Sequence, residues 1–223
     1  DRMYGGAGDD TYYVDSTGDR AVETSGAGTD LIYSSISLDL NAYGGARHIE
    51  NLILQGSSDL YGFGNDQSNT LTGNSGNNRL VGRAGDDILD GGAGRDRMEG
   101  GSGDDTYYID STGDRALETS GAGTDLIYSS ISLNINAYGG ARHIENLALQ
   151  GSSNLYGFGN DQNNTLTGNS GKNRLVGRAG DDILDGGAGN DRVEGGSGAD
   201  ILQGGAGYDL LYLGDDSDID RVI

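Results

Sequence analysis

A nine-residue repeat dominates the sequence and limits the folds that the chain can adopt. Two runs of six blocks begin at Gly64 and Gly159, and each run continues without an insertion. Three successive blocks of the first run read GRAGDDILD, GGAGRDRME and GGSGDDTYY. Positions one to four are rich in glycine, position six is Asp or Asn, and position eight is usually large and apolar. A period this short excludes long helices and favours stacked turns and short strands.

Each block predicts one sharp turn followed by one short strand. Glycine permits the positive φ angles of tight turns, and in a strand of about three residues the side chain at position eight points inward. Leu71, Leu80, Leu89 and Met98 occupy that position in four successive blocks. Two consecutive blocks therefore form one coil, which we call a two-block coil, and its strands pair with those of the next coil.

The blocks lie inside a longer tandem repeat. Residues 1–95 align with residues 96–190 without a gap, and 84 of the 95 positions are identical. A third copy begins at Asp191 and remains recognisable to about Asp200. We interpret this as the duplication of one structural unit. Because the pattern is already under way at Asp1, we expect the chain to be part of a longer protein.

Composition excludes several classes of protein. Acidic residues outnumber basic ones by 35 to 14, which gives a formal charge of −21, whereas nucleic-acid binding requires a basic face. The absence of cysteine excludes a disulfide scaffold and a thiolate zinc site. No stretch approaches the ~18 consecutive apolar residues of a membrane-spanning helix. We therefore expect neither a nucleic-acid partner nor a membrane span.

The blocks carry a family resemblance. Residues 91–99 fit the pattern GGxGxDxUx, with U a large apolar residue, at every fixed position, and so do the blocks that begin at Gly5, Gly100, Gly186, Gly195 and Gly204. The sequence therefore resembles the RTX (repeats-in-toxin) calcium-binding nonapeptide repeats of haemolysin type. The resemblance implies an all-β fold, a right-handed parallel β-roll or β-helix solenoid whose turns bind Ca2+.

Elementary electrostatics also favours calcium. Small coils bury little apolar surface against the entropy of ordering the chain. Stacking places Asp87 near Asp105 and Asp182 near Asp200, and like charges at this spacing repel by about 1 kcal/mol or more. Ca2+ relieves this repulsion because it accepts about six to eight oxygens, from carboxylates and backbone carbonyls together.

In the proteins that this chain resembles, the ion lies between turns of adjacent coils. The resemblance implies side-chain ligands at Asp10, Asp30, Asn78, Asp87, Asp96, Asp105, Asp114, Asp125, Asn173, Asp182, Asp191, Asp200, Asp209 and Asp218. It implies further ligands in the turn glycines Gly85, Gly92, Gly94, Gly101, Gly103, Gly180, Gly187, Gly189, Gly196, Gly198, Gly205 and Gly207. We expect about six to ten Ca2+ ions. Sites with Asn at position six should bind more weakly, because the amide keeps an oxygen but loses the charge.

Two segments interrupt the blocks, residues 34–63 and their copy 129–158. Alternation over residues 35–40 predicts a strand, and so do two apolar runs that follow it. These strands could continue the solenoid as ion-poor coils. The chain then divides into calcium repeats at 1–33, linking coils at 34–63, a calcium β-roll at 64–128, linking coils at 129–158, a second calcium β-roll at 159–212 and a degenerate edge at 213–223.

The two histidines, His48 and His143, lie in these linking coils. A catalytic cluster with Arg47 and Glu50 is one interpretation. We prefer a structural loop with Ile49 buried, because one histidine without a partner His, Cys or Ser is not a recognisable active site. No nucleophile elbow or HExxH motif is present. We expect no catalytic residue and no enzymatic activity in this chain; any catalytic domain would lie outside it.

We expect a calcium-binding segment of a larger secreted bacterial protein, located outside the cell or on its surface. The resemblance implies a chain that stays unfolded at low calcium, folds outside the cell as a scaffold, and is exported by the type I secretion machinery. Two alternatives stay open, an adhesin or polysaccharide-binding module and the non-catalytic tail of a secreted enzyme. Calcium-dependent glycan binding would favour the first, and a catalytic domain upstream the second.

Overall fold

Short parallel strands separated by turns make up the protein. The computed structural model describes residues 1–43, 45–137, 141–214, 218 and 220–223. They fall into two units, Asp1–Gly123 and Thr124–Ile223. Wherever the structure defines the register of two neighbouring strands, they run parallel. The predicted all-β parallel solenoid is confirmed, and the described ranges contain no α-helix.

The described residues of the first unit form thirteen strands. They are β1 (Arg2–Tyr4), β2 (Thr11–Val14), β3 (Arg20–Val22), β4 (Leu31–Ser34), β5 (Leu38–Asp39), β6 (Asn51–Leu54), β7 (Tyr61–Phe63), β8 (Thr70–Thr72), β9 (Arg79–Ala84), β10 (Ile88–Asp90), β11 (Arg97–Ser102), β12 (Thr106–Ile109) and β13 (Arg115–Leu117). One face is a sheet in the order β2-β4-β6-β8-β10-β12, and the other is a sheet in the order β13-β11-β9-β7-β5. Strands β1 and β3 form a separate pair.

In the second unit, the part of the chain that the structure describes forms eleven strands. They are β14 (Leu126–Ser129), β15 (Leu133–Asn134), β16 (Asn146–Leu149), β17 (Tyr156–Phe158), β18 (Thr165–Thr167), β19 (Arg174–Ala179), β20 (Ile183–Asp185), β21 (Arg192–Ser197), β22 (Ile201–Gln203), β23 (Leu210–Tyr212) and β24 (Arg221–Val222). One sheet has the order β14-β16-β18-β20-β22-β24 and the other the order β15-β17-β19-β21-β23. Across the described ranges, no helix has the length and apolarity that a membrane crossing needs.

The core is a stack of the side chains at position eight. Leu71 lies in register with Leu89, and Leu89 with Tyr107, so each partner lies two blocks further along the chain. On the other sheet, Leu80 lies in register with Met98. All five side chains are fully buried, whereas their strand neighbours alternate outward, as period-two geometry requires. The predicted coil of two blocks is confirmed.

The linking segments continue the same stack with longer coils. Strands β6 and β7 form where the apolar runs predict them. Ile32 of β4 pairs with Leu52 of β6, so this coil is two positions longer than a two-block coil. The strand predicted over residues 35–40 is present only as the shorter β5, Leu38–Asp39. Strand β4 ends at Ser34, whose hydroxyl donates to the Ile36 carbonyl at 2.7 Å and accepts the Ile36 N–H at 3.3 Å, and this local turn separates β4 from β5.

A histidine lies in each short 3-10 turn of these segments, Ala46–His48 and Ala141–His143. Ile49 directly after the first turn is fully buried, as predicted. Glu50, the acidic member of the alternative cluster, accepts the backbone N–H of Asp30 at 2.9 Å. Its contact is therefore with a repeat turn of the solenoid.

Candidate metal centre

The turns that precede the strands owe their shape to glycine. All twelve turn glycines predicted as ligands have positive φ angles, from +71° at Gly92 to +143° at Gly94. A side chain at Gly103 would run into the carbonyl of Gly85 in the adjacent turn. Glycine is therefore needed twice here, for the backbone angle and for the close approach of stacked turns. The result is two edges on which successive turns lie directly above one another.

A ladder of hydrogen bonds joins the aspartates of stacked turns. The backbone N–H of Asp87 donates to Oδ1 of Asp105 at 2.7 Å, and the N–H of Asp96 donates to Oδ1 of Asp114 at 3.1 Å. In each bond the earlier turn donates and the turn two blocks later accepts. Further pairs of this kind are Asn78–Asp96, Asn173–Asp191, Asp182–Asp200 and Asp191–Asp209. The structure thus brings together the residues that the two-block spacing pairs.

The second carboxylate oxygen of these aspartates is what a cation would use. Oδ2 of Asp87, Asp96, Asp182 and Asp191 is buried and has no hydrogen-bond partner. A Cβ built on Gly82 would meet Oδ2 of Asp87 and, at 2.8 Å, the carbonyl oxygen of Gly100. Buried polar atoms are normally satisfied, so these oxygens require a ligand. A set of carboxylate and carbonyl oxygens is what Ca2+ prefers.

Without a cation, the ionised carboxylates of the ladder are electrostatically unfavourable. Burial raises the pKa of Asp87 to about 8, repulsion from Asp105 adds to the rise, and the N–H of Asn69 only partly offsets both. Burial also raises the pKa of Asp96 and of Asp182, each to about 7. The ionised form of each carboxyl is therefore costly at neutral pH. A bound divalent ion would remove that cost.

Turns with Asn at position six are satisfied internally. Oδ1 of Asn78 accepts the N–H of Asn74 at 2.7 Å, and Nδ2 of Asn78 donates to Oδ1 of Asn74 at 3.1 Å. The equivalent bonds join Asn173 and Asn169, at 2.7 and 2.9 Å. These amides therefore already have partners for both of their polar atoms, in contrast to the aspartates.

Asp114 belongs to a third type of turn. Its Oδ2 accepts the N–H of Asp110 at 3.2 Å and the N–H of Ser111 at 2.9 Å, while Oδ1 accepts from Asp96. One carboxylate oxygen, Oδ2, thus closes the turn of this block, which lacks the glycines at positions one to four. Asp19 makes the same pair of bonds one repeat earlier.

The predicted continuation of the edge from Asp200 to Asp218 is wrong. The backbone N–H of Asp200 donates at 3.0 Å to Oδ1 of Asp220, not to Asp218, and Asp218 is exposed. The cause is a longer last coil, in which Leu202 of β22 pairs with Val222 of β24. The longer coil shifts the acceptor by two positions.

Four glutamates lie at turn edges where the nine-residue motif does not predict them. Oε2 of Glu50 accepts from Asp30, and Oε2 of Glu145 accepts from Asp125, each at 2.9 Å. These glutamates take the acceptor role of position six in the longer coils. Glu23 and Glu118 also lie at turns and are buried, with 6% and 8% of their surface exposed. For Glu23 and Glu118, the sequence signal was the Glu-Thr pair that lengthens the coil at each position.

The predicted site at the first of the longer coils is also assembled. Oδ1 of Asp30 accepts the N–H of Asp10 at 2.9 Å. One carboxylate oxygen each from Asp10, Glu23 and Asp30 lies within 4.8 Å of the other two. The fold, the stacked glycine turns and the buried acidic oxygens together define a calcium-binding parallel β-solenoid.

Comparison with known families agrees with this class. The family described as RTX calcium-binding nonapeptide repeat (4 copies) matches residues 1–20, 63–98, 72–107, 158–193 and 194–219, which together span more than half of the chain. The chain belongs to this family, whose repeats bind calcium and are typical of secreted bacterial proteins.

One curated protein is similar to part of the chain. It is the endo-1,3-1,4-beta-glycanase ExsH of Rhizobium meliloti (strain 1021), 41% identical over 71 residues, which are 32% of this chain. The chain spans only 14% of the length of that glycanase. The similarity is therefore confined to a small part of the enzyme.

Proposed function

We propose that the chain is a calcium-responsive scaffold of a larger bacterial protein, located outside the cell or on its surface. The observation that carries the proposal is the set of buried aspartate oxygens without a hydrogen-bond partner. They occur at Asp10, Asp30, Asp87, Asp96, Asp182 and Asp191. Leaving such groups uncompensated opposes folding. The chain therefore folds only where enough Ca2+ is present to occupy them.

The net charge supports the same conclusion. The chain carries −21, and stacked turns hold many of these charges one strand spacing apart. Six to ten divalent ions, about the number of acidic turns, would neutralise most of that charge. Binding and folding are then one equilibrium, since the sites do not exist in the unfolded chain. Low calcium keeps the chain unfolded for export, for which we propose a type I secretion apparatus.

The proposal is tested by far-UV circular dichroism of the full chain during a calcium titration. We expect a transition from coil to β-structure with Ca2+ and not with an equal concentration of Mg2+, which holds its waters and demands octahedral geometry. Asp87→Ala and Asp182→Ala should raise the calcium midpoint. A spectrum that is already fully β-structured in chelator would refute the proposal.

We also propose that this segment has no catalytic role and that any chemistry belongs to another part of the full protein. The carboxyl groups that carry the proposal above lie at structural turns, where Asp30, Asp96, Asp182 and Asp191 each accept a backbone N–H from a neighbouring coil. The partial similarity to a glycanase is consistent with a repeat segment appended to an enzyme. Activity of the isolated, calcium-loaded chain on β-glucans would contradict this.

A second function, binding of an anionic polysaccharide, is favoured by one surface of the first unit. Arg79, Arg97 and Arg115 stand in register on β9, β11 and β13, so their guanidinium groups form a column at the strand spacing of about 4.8 Å. One carboxylate, Glu99, lies 3.7 Å from Arg79 and 3.5 Å from Arg97. In a strongly acidic chain this arginine column is a local excess of positive charge.

Aromatic side chains flank the column. The Arg79 guanidinium lies 5.4 Å from the ring centre of Phe63, and Tyr61 stacks on Phe63 and is 55% exposed. A surface cavity of about 410 Å3 is lined in part by Arg95, Arg97 and Arg115. Guanidinium groups bind anionic oxygens, and an exposed ring offers a flat face to a sugar.

Dextran sulfate, with neutral dextran of the same length as control, tests this second function in saturating calcium. We expect binding of the sulfated polymer only, weakening with salt because the contacts are exposed. The double variant Arg97→Gln/Arg115→Gln should lose most of it. The control variant Arg47→Gln/Arg221→Gln removes the same charge from exposed positions outside the column. Equal loss in both variants would attribute binding to net charge and exclude the column.

A further inference from the structure

Two inserted residues change the composition of one turn edge. Glu23 and Thr24 lie between the block that ends at Val22 and the block that starts at Ser25. They make the coil two positions longer than a two-block coil, since Tyr12 pairs with Ile32. The insertion brings a glutamate to the edge where the blocks of two-block coils carry glycine.

The glutamate points into the space between two acidic turns. One carboxylate oxygen each from Asp10, Glu23 and Asp30 lies within 4.8 Å of the others. Oε2 of Glu23 accepts the N–H of Thr24 at 3.3 Å, and Oε1 accepts the phenol O–H of Tyr12. The side chain is therefore held with Oε1 beside the two aspartates.

An independent observation is that two aspartate oxygens that line this space have no hydrogen-bond partner. Asp30 is 1% exposed, and its Oδ2 has no hydrogen-bond partner; Oδ2 of Asp10 is in the same situation. A Cβ placed on Gly5 would strike Oε1 of Glu23, Oδ2 of Asp10 and the Tyr12 hydroxyl at once. Oxygens therefore surround the space beside Gly5, and glycine keeps it open.

We propose that Asp10, Glu23 and Asp30 form a tricarboxylate cation site, distinct from the two-aspartate sites of the two-block coils. Tyr12 lies beside this site, close enough to transfer excitation energy to a luminescent ion bound there. Three carboxylates give the site a higher negative charge than an Asp182–Asp200 site, so it binds Ca2+, or a trivalent lanthanide in its place, more tightly. The proposal deepens the proposed calcium function by adding a ligand, Glu23, that the repeat pattern does not contain.

The second copy of the repeat reproduces the arrangement within the first unit. A Cβ on Gly100 would meet Oδ2 of Asp105, the hydroxyl of Tyr107 and Oε1 of Glu118. Tyr107 donates to Glu118 as Tyr12 does to Glu23. The recurrence of a phenol beside a buried glutamate, at the same position of both repeats, makes this oxygen set a feature of the repeat.

Terbium(III) titration of the full chain tests the proposal, because bound Tb3+ is excited by energy transfer from a nearby tyrosine. We expect terbium emission on excitation of tyrosine in the native chain. Glu23→Gln combined with Glu118→Gln should raise the terbium midpoint by about tenfold or more, a typical loss for a disturbed metal site. A Glu99→Gln variant loses a glutamate from a surface ion pair and should leave the midpoint unchanged.

A second variant covers the case in which the glutamate variant does not fold. Tyr12→Phe combined with Tyr107→Phe keeps every carboxylate and the buried ring but removes the phenol. Its emission should fall severalfold, whereas the control Tyr13→Phe, at a side chain that is 66% exposed, should not lower it. Unchanged emission after removal of both phenols would overturn the proposal. The calcium-driven circular dichroism transition of the native chain reports the general function separately, so the two failures are distinguishable.

Discussion

Arg83 holds Asp39 through two parallel hydrogen bonds, from Nη1 to Oδ1 at 2.8 Å and from Nη2 to Oδ2 at 2.7 Å. Although burial works in the opposite direction, these bonds lower the pKa of Asp39. Arg83 adopts φ +92° at the second position of its block, where the motif GGxGxDxUx has glycine, a conformation that costs about 1–3 kcal/mol for a residue with a side chain. The ion pair offsets that backbone strain.

Arg83→Ala should therefore destabilise the protein more than Arg178→Ala. Arg178 has φ +97°, but it faces Asn134, to whose Oδ1 it donates a single bond of 3.1 Å. We expect a difference of about 1 kcal/mol, since a half-buried two-bond ion pair is stronger than a single bond to a neutral amide. Denaturant unfolding in saturating calcium measures it. Asn134→Asp should recover a comparable stabilisation, and equal losses in the two alanine variants would contradict the argument.

Asp87→Asn should have opposite effects with and without calcium. The amide removes a buried charge that repels Asp105, so residual structure in chelator should increase, while the calcium midpoint should rise because a charged ligand is lost. Circular dichroism in chelator and in a calcium titration measures both. Asp86→Asn is the control, since Asp86 is exposed and keeps its Oδ1 acceptor for the N–H of Asp104. A lower calcium midpoint for Asp87→Asn would exclude Asp87 as a ligand.

In chelator, the structure should strengthen as the pH falls. Burial raises the pKa of Asp87 to about 8 and that of Asp182 to about 7, against about 3.9 in an unfolded chain. The stability that these groups contribute is fully present below about pH 4 and is lost as the pH rises from there through their folded pKa values, because in that range the folded state still binds protons that the unfolded chain has released. Circular dichroism between pH 4 and pH 8 should show this loss without calcium and little of it with saturating calcium. The opposite slope in chelator would contradict the electrostatic argument.

Met98→Ala should cost about 2–5 kcal/mol, because it leaves a cavity in a column of buried side chains. Met98 is fully buried and lies in register with Leu80. Ile88→Ala, at a strand position that is 41% exposed, should change the free energy of unfolding by less than about 0.5 kcal/mol. Unfolding in saturating calcium measures both changes. Similar costs at the two positions would show that position eight is not the core.

The solenoid and its core follow from the sequence because the nine-residue period assigns each position of a block to a turn, a buried strand position or an exposed one. Position eight predicted the buried column of Leu71, Leu89 and Tyr107, and Tyr12 and Tyr107 are buried while Tyr13 and Tyr108 are exposed, as the period predicts. Glycine at the turns predicted the positive φ angles. These features depend on local spacing, which a sequence displays directly.

The details that escaped prediction depend on which residues face each other across coils. Asp220 replaces Asp218 as the acceptor from Asp200 because the last coil is longer, and coil length is not visible where the repeat pattern fades. Glu23 lies outside the nine-residue motif, so its position beside Asp10 emerges only from the stacked turns. The closed Asn78–Asn74 turn depends on side-chain rotamers that spacing does not specify.

The unequal coils solve a problem that identical coils create. A stack made only of two-block coils could slip by a whole coil and still bury leucine on leucine, so its alignment would be degenerate. The coil between Tyr12 and Ile32 is two positions longer than a two-block coil, and the coil between Leu52 and Leu71 is one position longer. Neither coil can take the place of a two-block coil in a shifted stack. A slipped stack would separate Glu23 and Glu50 from their hydrogen-bond partners. The irregular coils therefore fix the register of the strands, and they allow a nearly perfect tandem repeat to fold in a single arrangement.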